Sequence, residues 1–452
     1  MKEAKKFVTR FAPSPNGWLH LGHAYSALTA ARAAQDAGGD FLLRIEDIDV
    51  GRARPYFVEG IYQDLDWLGL AWDETARQSD RFDRYDAVFE TLVAQGHVYA
   101  CYETPDELER KRKRQLARGK PPVYDRVGLG LSADEKAALE AEGRTPHWRF
   151  KLSGNQVGWH DLVRGEQKID TSSVSDPVIR RADGTWLYTL PSVVDDLDME
   201  ISHVIRGEDH VTNTAAQVEL IAALGGTMPE FAHFSLMLGA DGSGLSKRLG
   251  SLSLADLRDS GLEPISLNAH IARLGTADPV VPAQTLQEII DGFDMARLGR
   301  APARFDPEDV TRLNARILHE TPHAAVAERL AEIGAPAQAD FWEAMRGNIE
   351  KFADIQNIMA LINGPITPVV DAEDGDFIAQ ARALLPDAPL DTQSWSVWTG
   401  RLKDETGRKG RGLFMPLRMA LTGQSHGPEM QHFLYHIGYD EAVARLEAAG
   451  KD

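Results

Sequence analysis

Two short stretches carry residue types that could act on a phosphate. The first is Val8 to His23, VTRFAPSPNGWLHLGH, in which His20 and His23 flank Leu21 and Gly22. Imidazoles at i and i+3 share one face of a helix, and the unpaired backbone N–H groups at a helix start favour an anion. A glycine between them lets a phosphate or a flat ring approach the backbone. The second is Gly244-Leu245-Ser246-Lys247-Arg248, set in the glycine-rich segment GADGSGLSKRLG. A lysine presented there can reach a phosphate whose charge changes during reaction. Alone, each stretch also fits a blander reading, surface histidines in one case and a solvated turn in the other. Together, two imidazoles and an ammonium are residue types that one phosphate site could use, and neither stretch then stands isolated.

Elements to position that set are legible around it. Phe7 to Phe11 reads as a strand, and a helix begins near His20 and runs to about Ala37. GGDFLLRIEDID follows as a second strand, with helices near Tyr56–Leu68 and Tyr85–Ala94. Strands alternating with helices predict a parallel sheet covered on both faces. Ligands of such sheets sit at the carboxyl ends of the strands, where PSPNG and Glu46-Asp47-Ile48-Asp49 fall. From Tyr102 to about Ile179 the alternation breaks into a charged helix, a Pro121-Pro122 stop and short strand-like pieces, which reads as an insertion. It resumes with TWLYTLPSVVDDLDMEISHVIRGEDH and a helix over Thr214–Leu224. Ser253 to about Pro307 reads as helices, and beyond Asp309 nearly everything is helical. Phe341, Met345, Ile349, Phe352, Ile355 and Met359 recur at the helical period, as one buried face requires.

Composition narrows the class. With 452 residues the chain can form roughly two to four domains. One cysteine, Cys101, excludes an internal disulfide and a multi-thiolate metal site, and suits a reducing compartment. MKEAKKFVTRF lacks a signal-peptide apolar run and no stretch approaches membrane-spanning length, so a cytoplasmic protein without a membrane partner is expected. The formal charge of −19 argues against a polyanionic partner in bulk, but the local patch sets such a contact. Basic clusters stand at Arg110–Lys120, RKRKRQLARGK, and Arg408–Arg418, RKGRGLFMPLR. A solvated helix face or loop fits either equally.

The pairing of an H-x-G-H segment with a downstream Ser-Lys loop resembles the class I aminoacyl-tRNA synthetases, whose two motifs grip ATP. TRFAPSP, FLLRIEDID, VVDDLDMEISHVIRGEDHVTNT, LSKR, PPVYDR and PLRMALTG resemble the glutamyl-tRNA synthetase family across essentially the whole chain. The resemblance implies a Rossmann-type sheet split by an insertion and followed by an all-helical anticodon-binding region. Its expected divisions are 1–101 and 181–235 for the two halves of the catalytic domain, 102–180 for an inserted acceptor-end-binding domain, 236–308 for a stem-contact region carrying the Ser-Lys loop, and 309–452 for the anticodon-binding region.

It also implies roles. His20, His23 and Lys247 would be catalytic, with Gly22, Asp209, His210 and Ser246 completing the ATP site. Arg10 and Arg206 would hold the substrate carboxylate, Glu46 the α-ammonium, and Ser14, Tyr188 and Glu208 further parts of the glutamate pocket. Asp195 and Asp196 are expected to brace it. Arg110, Lys111, Arg112, Arg408, Lys409 and Arg411 are candidates for tRNA. Expected partners are tRNA(Glu), L-glutamate and ATP with Mg²⁺, with tRNA(Gln) left open as a second acceptor because its choice depends on a few anticodon-facing residues; no protein-bound zinc and a monomer are expected. Gly244 stands where the loop motif often carries its first lysine, which leaves Lys247 as the main phosphate contact, and Ser192 occupies a variable pocket position. Residues 1–100 also resemble glutamyl-queuosine tRNA(Asp) synthetase, which transfers glutamate to a modified anticodon base. That paralogue has a cysteine-rich zinc site and no anticodon-binding domain, whereas here only Cys101 is present and a long helical region follows. A non-catalytic RNA-binding relative would have lost His20, His23 or Lys247, and all three are present.

Overall fold

The computed structural model describes residues 6–119, 121–239, 241–242 and 253–450. Gly244, Ser246, Lys247 and Arg248 of the second motif, and Lys120 of the first basic cluster, lie outside the described residues. The chain divides into two units, Met1–Ser260 with Leu267–Pro307, and Gly261–Ser266 with Glu308–Asp452. No helix among the described residues is long and apolar enough to cross a membrane.

In the first unit, strands β1 (Val8–Phe11), β2 (Asp40–Ile45) and β3 (Glu74–Arg77) lie parallel in that order. All four residues of β1 are buried, as a parallel strand covered on both faces requires. Helix α1 (Leu21–Asp36) joins β1 to β2 and is rich in alanine on its buried side, so its backbone lies close to the sheet. Thr9 reaches it, its hydroxyl donating to Ala30 O at 3.0 Å. The helix stops at Gly38, which takes φ +63°, a left-handed conformation that side chains resist. Gly39 then passes Phe7 so closely that a Cβ would fall 2.1 Å from its carbonyl oxygen. Helices α2 (Pro55–Trp67) and α3 (Phe82–Ala94) complete this half.

The insertion follows. Strands β4 (Val98–Cys101), β5 (His147–Phe150) and β8 (Val178–Arg180) form an antiparallel sheet in the order β4-β5-β8, with helices α4 (Pro105–Ala117), α5 (Val127–Gly130) and α6 (Ala133–Ala141) between β4 and β5. The hairpin of β6 (Gln156–Asp161) and β7 (Gly165–Asp170) belongs elsewhere. β6 runs parallel beside β10 (Glu230–Phe234), with Asp161 opposite Phe231, and β10 pairs with β9 (His203–Gly207). Helix α7 (Thr189–Asp198) precedes β9, and α8 (Val211–Ala223) connects β9 to β10. The two half-sheets meet where Val8 N donates to Ser202 Oγ at 2.7 Å and Ser202 N donates to Val8 O at 3.1 Å. This yields the split α/β sheet expected from the chain pattern. Beyond it, β11 (Met237–Gly239) pairs with β12 (Ala303–Phe305).

The second unit is helical, around Trp342, Trp398, Phe341, Phe433 and Leu330, all fully buried. One expectation changes. The run from Phe341 to Ile362 is not a continuous helix but two, Ala339–Met345 and Asp354–Asn363, with Ile349 extended between them. The Asp354 carboxylate accepts from the N–H groups of Glu350 and Lys351 at 3.0 and 2.9 Å, which ties the turn between the two helices to the start of the second. The apolar period survives the break because both helices face one core, with Met359 only partly buried.

Candidate active site

His20 is the N-cap of α1, and its ring does the capping. Its Nδ1 accepts from Gly22 N at 3.1 Å, while His23 Nδ1 accepts from His20 N at 3.2 Å. The two rings stack with centroids 3.8 Å apart. A nitrogen that accepts carries no proton, so both imidazoles are the neutral tautomer with hydrogen on Nε2. Burial keeps them so: it lowers the His20 pKa, and it pulls His23 to about 3 with help from His20. A Cβ at Gly22 would meet the His20 ring at 3.0 Å, so a side chain there would press on the capping ring. The motif thus turns a helix start into two outward N–H donors.

Both histidines open on a cavity of about 470 Å³ at the carboxyl ends of β1, β2 and β9. Arg10, Ser14, Gly22, Glu46, Tyr188, Arg206, Asp209 and His210 line it as well, so most of the expected pocket residues converge. A larger hollow of about 1000 Å³ lies at the strand starts, but Asp40, Glu74, Asp198 and Glu200 give it an acidic lining that repels phosphate.

The charges in the cavity are held from behind. Arg10, 4 % exposed, donates through Nε and Nη2 to Asp196 at 3.1 and 3.4 Å. Arg44 donates to Asp196 at 2.6 Å and to Glu46 at 3.0 Å, so one buried arginine links a carboxylate behind the cavity to one inside it. Burial alone would raise the Asp196 pKa, but Arg10 and Arg44 outweigh it and hold the group below its usual value. For Glu46 burial prevails over Arg44, and the pKa is raised. Asp195 accepts from Gln78, Arg81 and Tyr85, and neither aspartate lines the site cavity.

Arg206 differs from Arg10. It is 6 % exposed, and no ion pair among the described residues neutralises it. Its Nε donates to His233 Nε2 at 3.1 Å, Nη1 to Tyr188 Oη at 2.9 Å, and Nη2 to Thr214 Oγ1 and Gln217 Oε1 at 2.7 and 2.6 Å. Four of the five guanidinium hydrogens are thus spent on neutral acceptors, and one Nη1 hydrogen remains. A buried cation without a counter-ion is a receptor for an anion. Burial accordingly lowers its pKa.

Several expected residues sit otherwise. Glu208 is not part of the cavity lining; its carboxylate accepts from Arg164 Nη1 at 2.5 Å and from Leu236 N at 3.1 Å, which turns it away. Ser192 is fully buried and accepts from Gln217 at 2.9 Å, so it supports Arg206 from two bonds back. Ser246 and Lys247 lie outside the described residues, yet both flanks of their segment reach the site. Met237 lines the cavity, Leu254 N donates to Leu19 O at 2.8 Å, and Ser253 bridges to His20. Among the tRNA candidates, Lys111 is held by Glu103 and Asp125, and Arg112 by Glu109. Arg408 pairs with Asp374 and lies over the Phe377 ring, which makes it a structural residue rather than a free cation. Arg110, Lys409 and Arg411 are exposed. Sequence reasoning passed over Arg44, Thr214, Gln217 and His233, whose only signal is proximity in space.

Residues 6–312 match the family of tRNA synthetases class I (E and Q), catalytic domain, and residues 327–450 match an anticodon binding domain. The chain is 54 % identical to glutamate–tRNA ligase 1 of Maricaulis maris and 53 % identical to glutamate–tRNA ligase 2 of Methylorubrum populi, each over 97 % of this chain and 98 % of the relative. The crystal structure of a glutamate tRNA ligase from Elizabethkingia meningosepticum in complex with its amino acid superposes with a TM-score of 0.86 at 28 % identity, covering 99 % of both chains. Agreement of this extent, in sequence and in shape and through both units, means that the chain belongs to the class I tRNA synthetases and, within them, to the glutamate–tRNA ligase family.

Proposed function

We propose that the chain activates L-glutamate with MgATP and transfers it to the 3′ end of tRNA(Glu). The α-carboxylate oxygen attacks the α-phosphorus, the bond to pyrophosphate breaks, and glutamyl-adenylate forms. The terminal ribose hydroxyl then attacks the adenylate carbonyl, and AMP leaves. No side chain becomes covalently attached. Catalysis rests on positioning and on stabilising charge at phosphate oxygens. The outward Nε2–H groups of His20 and His23 donate to those oxygens, and Lys247 supplies a full charge from the opposite motif. Asp209, His210, Gly22 and Ser246 complete the nucleotide side. Arg10 and the unspent N–H of Arg206 take substrate carboxylate, Glu46 takes the ammonium, and Ser14 and Tyr188 add hydrogen bonds.

The observation that carries this reading is that neutral imidazole donors, an unneutralised guanidinium and a buried carboxylate open on one cavity. An amino acid and a nucleoside triphosphate need those three things together. Lys409, Arg411 and Arg110, three exposed members of the two basic clusters, are the proposed tRNA backbone contacts. Charging assays test the reading. Glutamate should appear on a tRNA(Glu) transcript as a base-labile 3′ ester. A product formed only on queuosine-containing tRNA(Asp), and stable to mild base, would overturn it in favour of the paralogue's reaction. Including tRNA(Gln) in the same assay tests it as a second acceptor.

A further inference from the structure

Behind Arg206 lies a second buried pair that the reaction itself does not call upon. Asp161, the last residue of β6, and His233 in β10 are both fully buried. Asp161 Oδ2 stands 2.5 Å from His233 Nδ1. Its other oxygen, Oδ1, accepts three backbone N–H groups, from Val163 at 3.1 Å, Arg164 at 2.9 Å and His233 at 3.2 Å. Those bonds fix which carboxylate oxygen faces the ring. On the far side of the ring, Nε2 accepts from Arg206 Nε at 3.1 Å and lies 3.0 Å from Thr214 Oγ1.

Arginine only donates, so the nitrogen facing Arg206 Nε must be bare and the proton must sit on Nδ1. Asp161 is what keeps it there, and nothing else among the described residues contacts Nδ1. We propose that Asp161 and His233 are a positioning pair: the carboxylate fixes the imidazole tautomer, and the bare Nε2 aims the Arg206 guanidinium at the substrate carboxylate. The proposal rests on the reading of Arg206 as a glutamate-binding residue. Neither residue touches the cavity. Their cost is a buried carboxylate and a buried ring, arranged through a strand of the inserted segment that reaches β10 only by tertiary pairing. A merely structural role would be served as well by an apolar pair of the same volume, which often stabilises relative to buried charge.

The tautomer argument makes a specific test. In Asp161→Asn the three backbone N–H groups hold the amide oxygen in place, so the amide NH₂ must face Nδ1. The ring then carries its proton on Nε2, where it opposes the Arg206 Nε–H. Thr214 can accept the misplaced proton, but Arg206 loses its acceptor. In His233→Gln the side-chain amide can turn its oxygen to Arg206 whichever residue stands at 161. Pyrophosphate exchange by the full-length chain, with tRNA(Glu) present, should show KM for glutamate raised roughly 10- to 100-fold in Asp161→Asn, the cost of one unpaired buried donor. KM for ATP should stay near that of the parent, and the thermal midpoint should fall modestly, because the unpaired Arg206 donor is buried in the free enzyme as well. The double variant Asp161→Asn with His233→Gln should recover most of the glutamate KM. Arg206→Lys serves as the control on the pocket. If it raises the glutamate KM while Asp161→Asn leaves it unchanged, or if the double variant shows no recovery, the positioning pair is wrong and the pocket stands. If Arg206→Lys leaves the glutamate KM unchanged, the pocket reading falls and takes the pair with it.

Discussion

The two units bury charge in opposite ways. In the catalytic unit Arg10, Arg44, Asp195, Asp196 and Arg206 are all buried, linked to one another or to neutral acceptors, and two of the guanidinium groups face a cavity. In the helical unit the core is aromatic and aliphatic, and its buried arginine, Arg445, is spent on structure. Arg445 donates to Leu421 O, Ile362 O and Gly364 O, carbonyls at or just beyond helix ends, where a cation is favoured. Buried charge is costly in both places. The helical unit cancels it against Glu441, 2.6 Å from Arg445 Nε, and against backbone carbonyls, whereas the catalytic unit leaves one Arg206 N–H unspent beside a cavity.

The largest effects test that contrast directly. Asp196→Ala should cost about 3–5 kcal/mol, because Arg10 and Arg44 lose their shared buried partner. Trp342→Ala should cost a similar ~3–5 kcal/mol by opening a cavity in the helical core. Urea titrations compare the two, and steady-state kinetics separate them: only Asp196→Ala should also raise KM for glutamate. Equal kinetic damage from both would erase the distinction between the units.

Next in size is the nucleotide side. Lys247→Ala should slow adenylate formation by about 10²- to 10³-fold, the scale of one lost donor to a developing charge, with the thermal midpoint unchanged. Single-turnover formation of glutamyl-adenylate measures it, and an unchanged rate removes Lys247 from the site.

A smaller effect concerns pH. His23 is pulled to about 3 and His210 to about 4, both first by burial, and His20 is lowered as well. The unfolded chain, with ordinary histidines near 6.5, therefore binds protons more readily than the folded one. Their contribution to stability is whole above that value and is lost progressively as pH falls below it. His23 and His210 therefore stay neutral throughout the assay range, so the adenylation rate should show no titration of either between about pH 6 and 8. A step near 6.5 that disappears in His23→Asn would mean the donors are charged.

The smallest effects lie on the helical surface. Lys409→Ala and Arg411→Ala should each lower the salt dependence of tRNA binding by about one unit of slope and leave folding alone. Arg408→Ala should do the reverse, costing about 1 kcal/mol of stability through its ion pair and ring contact with little change in the slope. Binding titrations at several salt concentrations, with melting curves, distinguish them.

What was legible in the sequence is what depends on neighbours along the chain. Strand–helix alternation, the insertion, the helical region and the spacing of His20, Gly22 and His23 are local patterns, because backbone hydrogen bonding and amphipathic faces have periods of a few residues. Family motifs extended that legibility to Arg10, Glu46, Tyr188 and Arg206 as residues that meet around one cavity. The helix break near Ile349 escaped because two helices on one core preserve a single apolar period. Glu208 was misplaced for a different reason: its orientation is set by Arg164, far away in the chain. The sequence alone therefore determined that a helix start carrying two histidines about a glycine and a set of charged residues at strand ends exist. Only the tertiary structure decided how those charges are held. Arg10 meets Asp196 across 186 residues, and Asp161 meets His233 across 72, because strand order and parallel pairing bring them together. No local period encodes such a meeting, and the low dielectric of the interior makes each one decide whether a buried charge is cancelled or kept for substrate.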